Sequence, residues 1–187
     1  MERLRTIAVQ LIPHATRFNK NARKWTWEVN LISSKSVNAF CMPGGKIAFF
    51  TGILQQLQLT DDEVAMVMGH EIAHALREHA RERAAKNTMT NVGATAAAIL
   101  IGGNLGQLAQ MGGNLLTLKF SRSDETDADL VGMDIAARAG YDPRSGIKLW
   151  EKMSQAAKGA PVPVKAKAPL RYRMERLGLK DELDGKE

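Results

Sequence analysis

The five residues His70-Glu71-Ile72-Ala73-His74 carry two imidazoles and a carboxylate. On a helix, residues four apart lie one turn apart on the same face, so the rings of His70 and His74 could hold a zinc ion from one side. Glu71 follows the first histidine, which puts its carboxylate within reach of a water on that ion, as a general base. A catalytic zinc takes three protein ligands and keeps a further position open to solvent, so a third ligand must come from elsewhere. The remaining histidines are His14 and His79. On an unbroken helix with about 3.6 residues per turn, His79 lies half a turn around from His70 and faces away. His14 sits in a distant segment. Both read as ordinary polar positions. A third histidine six residues after His74 would extend the pattern, but position 80 is Ala80.

The segment Phe120-Ser121-Arg122-Ser123-Asp124-Glu125-Thr126-Asp127-Ala128-Asp129 supplies acids instead. Glu125 and Asp129 are four apart and share a helical face. One carboxylate could bind the zinc while the other accepts the free N–H of a ligating histidine, fixing that ring's tautomer and orientation. Ala128, Val131 and Ile135 mark the face turned toward a core. The competing reading is an exposed acidic turn favoured by the helix dipole alone. The histidine pair upstream favours the ligand reading.

These side chains need elements to carry them. Thr60-Asp61-Asp62-Glu63 reads as a capping box with an acidic first turn. Val64, Val67, Met68, Ile72, Ala75 and Leu76 then recur at helical spacing, which predicts a helix continuing toward Lys86. Upstream, Leu4, Ile7, Ala8, Leu11, Ile12 and Ala15 predict a helix over 2–23, kinked or broken at Pro13. Trp25 to Leu31 alternates as a half-buried strand. Val37 to Pro43 and Lys46 to Thr51 read as two further strands, joined by a two-residue turn at Gly44-Gly45. Ile53 to Leu59 forms a short helix leading into the Thr60 cap. Downstream, Ser121 to Ala139 is helical with Gly140 as its stop. Asp142-Pro143 opens a helix carrying Ile147, Leu149, Trp150 and Met153. The expected fold class is α+β: one mostly helical domain with a small antiparallel three-stranded sheet before the histidine helix.

The length of 187 residues suits one domain with a real core, and 44% hydrophobic with 25% charged is ordinary globular composition. The lone Cys41 excludes an intrachain disulfide and a cysteine zinc cluster. The net charge of +6 is concentrated in the basic stretches 1–46 and 144–180. A solvated surface accounts for them, and a membrane surface is the alternative partner. No aromatic interleaving or motif points to nucleic acid. Residues 87–118 carry no charge and are rich in Gly, Asn and Gln. Their apolar run is short for a spanning helix, so a buried or interfacial helical hairpin, or a flap over the site, is the reading. The prolines of 159–169 mark a loop, and Leu170 to Leu177 a short basic helix. Met1 to Arg5 leads into an amphipathic stretch rather than an apolar leader, so either the protein is cytosolic or a targeting segment lies outside these residues.

The histidine helix, the Ser-Arg-x-x-Glu-x-x-Ala-Asp pattern at Ser121 to Asp129, and Asn38-Ala39-Phe40 followed by Pro43-Gly44-Gly45 and Thr51-Gly52 together resemble the HtpX/OMA-type zinc metallopeptidases. The resemblance runs from about Leu4 to Ala139. It implies a gluzincin with a thermolysin-like core, one zinc per chain held by His70, His74 and Glu125, Glu71 as general base, and Asp129 supporting the ligands. It also implies membrane-associated quality control of misfolded or outer-membrane proteins, in bacterial envelopes or mitochondria. One feature departs from it. Such proteins commonly carry a late histidine near the zinc, and this chain has none after His79. Tyr141, Tyr172 and Arg122 are then the candidates for stabilising an oxyanion. The expected activity is endopeptidase cleavage of an unfolded chain lying extended along the sheet edge near Val37 to Met42. The alternative is a zinc-binding, chaperone-like module that holds such chains without cutting them.

Overall fold

The computed structural model describes residues 1–88 and 120–158. In chain order these form α1 (Glu2–Ala15), a 3-10 turn (Lys20–Lys24), β1 (Glu28–Ile32), β2 (Ala39–Met42), β3 (Lys46–Phe50), α2 (Thr51–Leu57), α3 (Asp61–Leu76), α4 (His79–Thr88), α5 (Arg122–Arg138) and α6 (Ser145–Lys158). The fold is α+β and mostly helical. The segments 89–119 and 159–187, with the hairpin or flap, the proline-rich loop and the basic helix expected there, lie outside the described residues.

The histidine helix α3 is the centre of the fold, with α1, α5, α6 and β2 packed around it. Its start is the expected capping box. The Glu63 N–H donates to Thr60 Oγ1 at 3.3 Å, and the Thr60 N–H donates to Glu63 Oε2 at 2.8 Å. Glu63 is only 1% exposed. Its burial is tolerated because Lys152 of α6 donates to the same carboxylate oxygen at 2.6 Å. Beyond the cap α3 is apolar on nearly every side, as a helix in the middle of a core must be. Val64, Val67, Met68, Ile72, Ala75 and Leu76 are all buried.

The helix does not continue to Lys86. It ends at Leu76, and α4 restarts at His79. Glu78 takes a left-handed conformation, with φ of 55°. Neither Gly nor Asn marks the break. The chain turns there because contacts beyond the helix hold it: Arg77 pairs with Asp127 of α5 at 2.5 Å, and His79 is buried beneath the turn. The N-terminal helix also ends early, at Ala15, two residues past Pro13. Asn19 then accepts the Asn21 N–H and caps the 3-10 turn.

The sheet is mixed rather than antiparallel. Its order is β1-β3-β2, with β2 antiparallel and β1 parallel to β3. The hairpin β2–β3 forms as expected, but β3 inserts between β2 and β1. The connection 33–38 must therefore span two strand spacings and reverse direction, which leaves β1 and β3 running the same way. That connection is fastened to the start of α2. Thr51 Oγ1 donates to the Ser34 carbonyl at 2.8 Å, and the Gly52 N–H reaches the same oxygen at 2.8 Å. The hairpin loop has three residues, not two: Met42 pairs with Lys46, and the Gly45 N–H returns to the Met42 carbonyl. Pro43 followed by Gly44 at φ 90° is the type II turn pattern. Among the described residues β2 is an edge strand, and it packs against the histidine helix.

α5 begins with a second capping box, in which Ser121 and Asp124 exchange hydrogen bonds. It crosses α3 with the backbones almost touching. A Cβ on Gly69 would lie 2.6 Å from the Gly132 carbonyl oxygen, and one on Gly132 would lie 2.6 Å from the His70 nitrogen. This close approach lets short acidic side chains of α5 reach the histidines. α6 starts at Ser145, two residues later than expected, after a turn at Pro143-Arg144 in which Asp142 Oδ1 accepts the Arg144 N–H at 2.9 Å.

Candidate metal centre

The rings of His70 and His74 turn the same way off α3, and their Nε2 atoms lie 3.0 Å apart. Glu125 of α5 brings Oε2 to 3.6 Å from His70 Nε2 and Oε1 to 3.8 Å from His74 Nε2. One donor atom from each of the three side chains lies within 4.8 Å of the others, and they are the only such group among the described residues. Tetrahedral zinc with bonds of about 2.0–2.1 Å sets donor–donor edges of roughly 3.4 Å. The three separations bracket that edge, so the donor set and spacing fit a zinc ion.

The supporting groups leave the Nε2 atoms ready to bind. Asp129 Oδ1 lies 2.8 Å from His70 Nδ1. The carboxylate accepts there, so Nδ1 carries the proton and Nε2 presents its lone pair. His74 is buried, and its ring stacks on Phe120 with centroids 4.2 Å apart. Burial first, then the neighbouring charge of His70 and of His79, pushes the His74 pKa down to about 2. The ring is therefore neutral, as a metal ligand must be.

His79 is not an outward polar residue. The break at Glu78 folds it back under His74, where it is 6% exposed, with its Nδ1 3.0 Å from His74 Nδ1. Its Nε2 lies 3.3 Å from Asp127 Oδ2. His14 sits on the partly exposed side of α1, away from the cluster.

Glu71 stands where two cavities meet. One, of about 180 Å³, is walled by Ile53, Met66, Val67, Leu149, Trp150 and Met153. The other, of about 220 Å³, is bounded by Phe40, Cys41, Pro43, His74 and Phe120. Both share Asn38, Ala39, His70, Glu71 and Glu125. The two cavities thus meet at the start of β2, with His70 and Glu125 lining both and His74 the second. Burial raises the Glu71 pKa, His70 lowers it and Glu125 raises it again, leaving it at about 7. The Cys41 thiol is buried, and that burial, with the charge of Glu71, holds its pKa far above the usual range. It is no nucleophile.

Comparison with known sequences places the chain in a family. A profile of Peptidase family M48 matches residues 2–177. The chain belongs to peptidase family M48. It is 38% identical over 130 residues to the mitochondrial metalloendopeptidase OMA1 of Arabidopsis thaliana, covering 70% of this chain and 26% of that protein. It is 31% identical over 163 residues to the metalloprotease LoiP of Escherichia coli, covering 84% of this chain and 61% of LoiP. It is 30% identical over 146 residues to a Vibrio cholerae protein described as a putative beta-barrel assembly-enhancing protease, covering 71% of this chain and 30% of that protein. The chain thus spans about a quarter of the plant M48 protein and under two thirds of LoiP.

Within this M48 chain the oxyanion candidates separate. The Tyr141 hydroxyl donates to Gln10 of α1, and Tyr141 lines neither cavity. Arg122 is exposed at the start of α5 and also lines neither. Tyr172 lies outside the described residues. Sequence reasoning missed a different donor. Asn38 lines both cavities, and its side-chain nitrogen is buried without a hydrogen-bond partner among the described residues. Its position just before the edge strand was the available signal. Phe120, Asp127 and His79 were missed because no local pattern ties them to the histidine helix.

Proposed function

We propose that this M48 chain is a zinc-dependent endopeptidase acting on unfolded or misfolded proteins, with His70, His74 and Glu125 holding one ion and Asp129 orienting His70. The observation that carries the reading is the convergence of two imidazole Nε2 atoms and a Glu125 oxygen, 3.0–3.8 Å apart, beside Glu71 at the junction of two cavities. Zinc bound there would supply Lewis acidity, polarising the scissile carbonyl and acidifying water. Glu71 takes the proton from the attacking water and hands it to the leaving amine.

The substrate lies extended along β2, pairing with its unused backbone groups. Its main chain offers a carbonyl to the buried Asn38 amide, which has no partner among the described residues. The cavity walled by Ile53, Val67, Leu149 and Trp150 takes a large apolar side chain next to the cut bond. Buried apolar segments become accessible only in unfolded chains, which supports misfolded protein as the substrate class. Envelope or membrane-associated proteins are the proposed source, because the names of its relatives include mitochondrial metalloendopeptidases and the Vibrio cholerae protein described as a putative beta-barrel assembly-enhancing protease. Among the described residues no helix is long and apolar enough to cross a membrane.

The test is cleavage of an unfolded protein such as casein by the purified chain. Cleavage that stops with a chelator, returns with zinc and is lost in Glu71→Gln supports the reading. Zinc binding without any turnover, with unfolded protein held but uncut, would assign the site to the chaperone-like alternative.

A further inference from the structure

We propose that His79 is a positioning residue for His74, fixing the tautomer of that ring through a nitrogen-to-nitrogen hydrogen bond that is itself anchored by Asp127. The inference rests on the reading of His74 as a zinc ligand. Its basis is a chain of three contacts: His74 Nδ1 to His79 Nδ1 at 3.0 Å, His79 Nε2 to Asp127 Oδ2 at 3.3 Å, and Arg77 Nε to the same Asp127 oxygen at 2.5 Å. Both rings are 6% exposed, so water does not compete freely for these nitrogens.

The chain has one consistent proton arrangement for a neutral His79. A carboxylate oxygen only accepts, so the ion-pair contact of His79 Nε2 with Asp127 at 3.3 Å favours the proton of His79 on Nε2. His79 Nδ1 then carries a lone pair and must accept. Among the described residues the donor facing it is the Nδ1–H of His74. That assignment leaves His74 Nε2 unprotonated on the side of His70 and Glu125. If His79 carried its proton on Nδ1 instead, His74 would have to accept there and would hold its own proton on Nε2, where no metal could bind.

The device parallels the one at His70, where Asp129 accepts the Nδ1–H directly. No carboxylate of α5 is as close to His74 Nδ1, and His79 spans the gap to Asp127. The break after Leu76 serves this geometry. An uninterrupted helix would carry His79 half a turn away, and the left-handed Glu78 returns it to the underside of His74. Asp127, Asp129 and Glu125 all come from α5, so one helix supplies a ligand and both tautomer anchors.

The experiment uses the full chain, with zinc affinity measured by competition against a chromophoric chelator. Wild type is expected to bind one zinc. His79→Phe keeps the volume but cannot accept, and should weaken zinc binding about 10–100-fold. His79→Asn places an amide oxygen near the lost Nδ1, and should stay within a few-fold of wild type. Thermal midpoints of the metal-free variants separate a packing effect, which would not follow acceptor chemistry. Nitrogen-15 NMR of the zinc-loaded wild type gives a readout that no variant can spoil: His79 should be the Nε2–H tautomer and His74 the Nδ1–H tautomer. Zinc binding by His79→Phe at wild-type affinity, equal losses in the Phe and Asn variants, or an Nδ1–H tautomer at His79 would each overturn the inference. A wild type that binds no zinc would instead overturn the ligand assignment on which it rests.

Discussion

At the scale of single residues the site divides its work between groups that bind, a group that moves a proton and groups that aim the others. Glu71 is the proposed proton carrier, and its separation from the binding set is testable. Glu71→Gln keeps the shape and removes the base. Zinc stoichiometry should be unchanged while kcat falls by about 10²–10⁴-fold, the usual worth of a general base. Metal analysis and casein hydrolysis on one preparation would check both halves. Asp129 belongs to the aiming groups. Its loss in Asp129→Ala should weaken zinc by about 10–100-fold without abolishing binding, measured by chelator competition. The spacing of His70, Glu71 and His74 made their arrangement legible from sequence, because one helical turn fixes their relation. Asp129 was legible for the same reason, being one turn from Glu125. His79 was not. Its reading assumed a continuous helix, and a single residue in a left-handed conformation reverses where its ring points.

At the scale of elements the account depends on how closely α5 lies against α3. Two helix-interior glycines, Gly69 and Gly132, permit it, although glycine costs about 1 kcal/mol there relative to alanine. Gly132→Ala would recover that propensity yet drive a Cβ to 2.6 Å from the His70 nitrogen. Overpacking of this kind costs about 1–3 kcal/mol. A lower thermal midpoint together with weaker zinc binding is expected, and wild-type values in both would show that the crossing is not what positions Glu125. Elements whose signals are local were readable: the Thr60 and Ser121 caps, the apolar periodicity of α1 and α3, and the β2–β3 hairpin with its glycines. What failed was non-local. Nothing in residues 33–38 states that β3 will insert beside β1, because the connection's length allows either neighbour. Nothing in Arg77-Glu78 signals a helix end, because the Arg77–Asp127 pair and the burial of His79 impose it from another helix.

At the scale of the whole molecule the ion and the fold should stabilise each other. Zinc that binds the native state and not the unfolded chain adds about 2.7 kcal/mol when present at a hundred times its dissociation constant. Stripping the metal with a chelator should therefore lower the thermal midpoint of wild type, as followed by circular dichroism, and the shift should vanish in Glu125→Ala. The cavities that meet at β2 set a second expectation at this scale. Cleavage mapped on a random peptide pool should show a large apolar residue on one side of the cut, since an apolar pocket discriminates by roughly 1–3 kcal/mol per methylene. A profile with no side-chain preference would contradict the role given to the cavity beside Trp150.

The central claim is that two rings of α3 and one carboxylate of α5 hold a single ion whose remaining position is open. X-ray absorption at the zinc edge of the loaded chain measures that directly. Two imidazole nitrogens and two oxygens, one of them lost in Glu125→Ala along with most of the bound zinc, is the predicted result. A closed shell of four protein ligands, or an identical spectrum and metal content in Glu125→Ala, would contradict it.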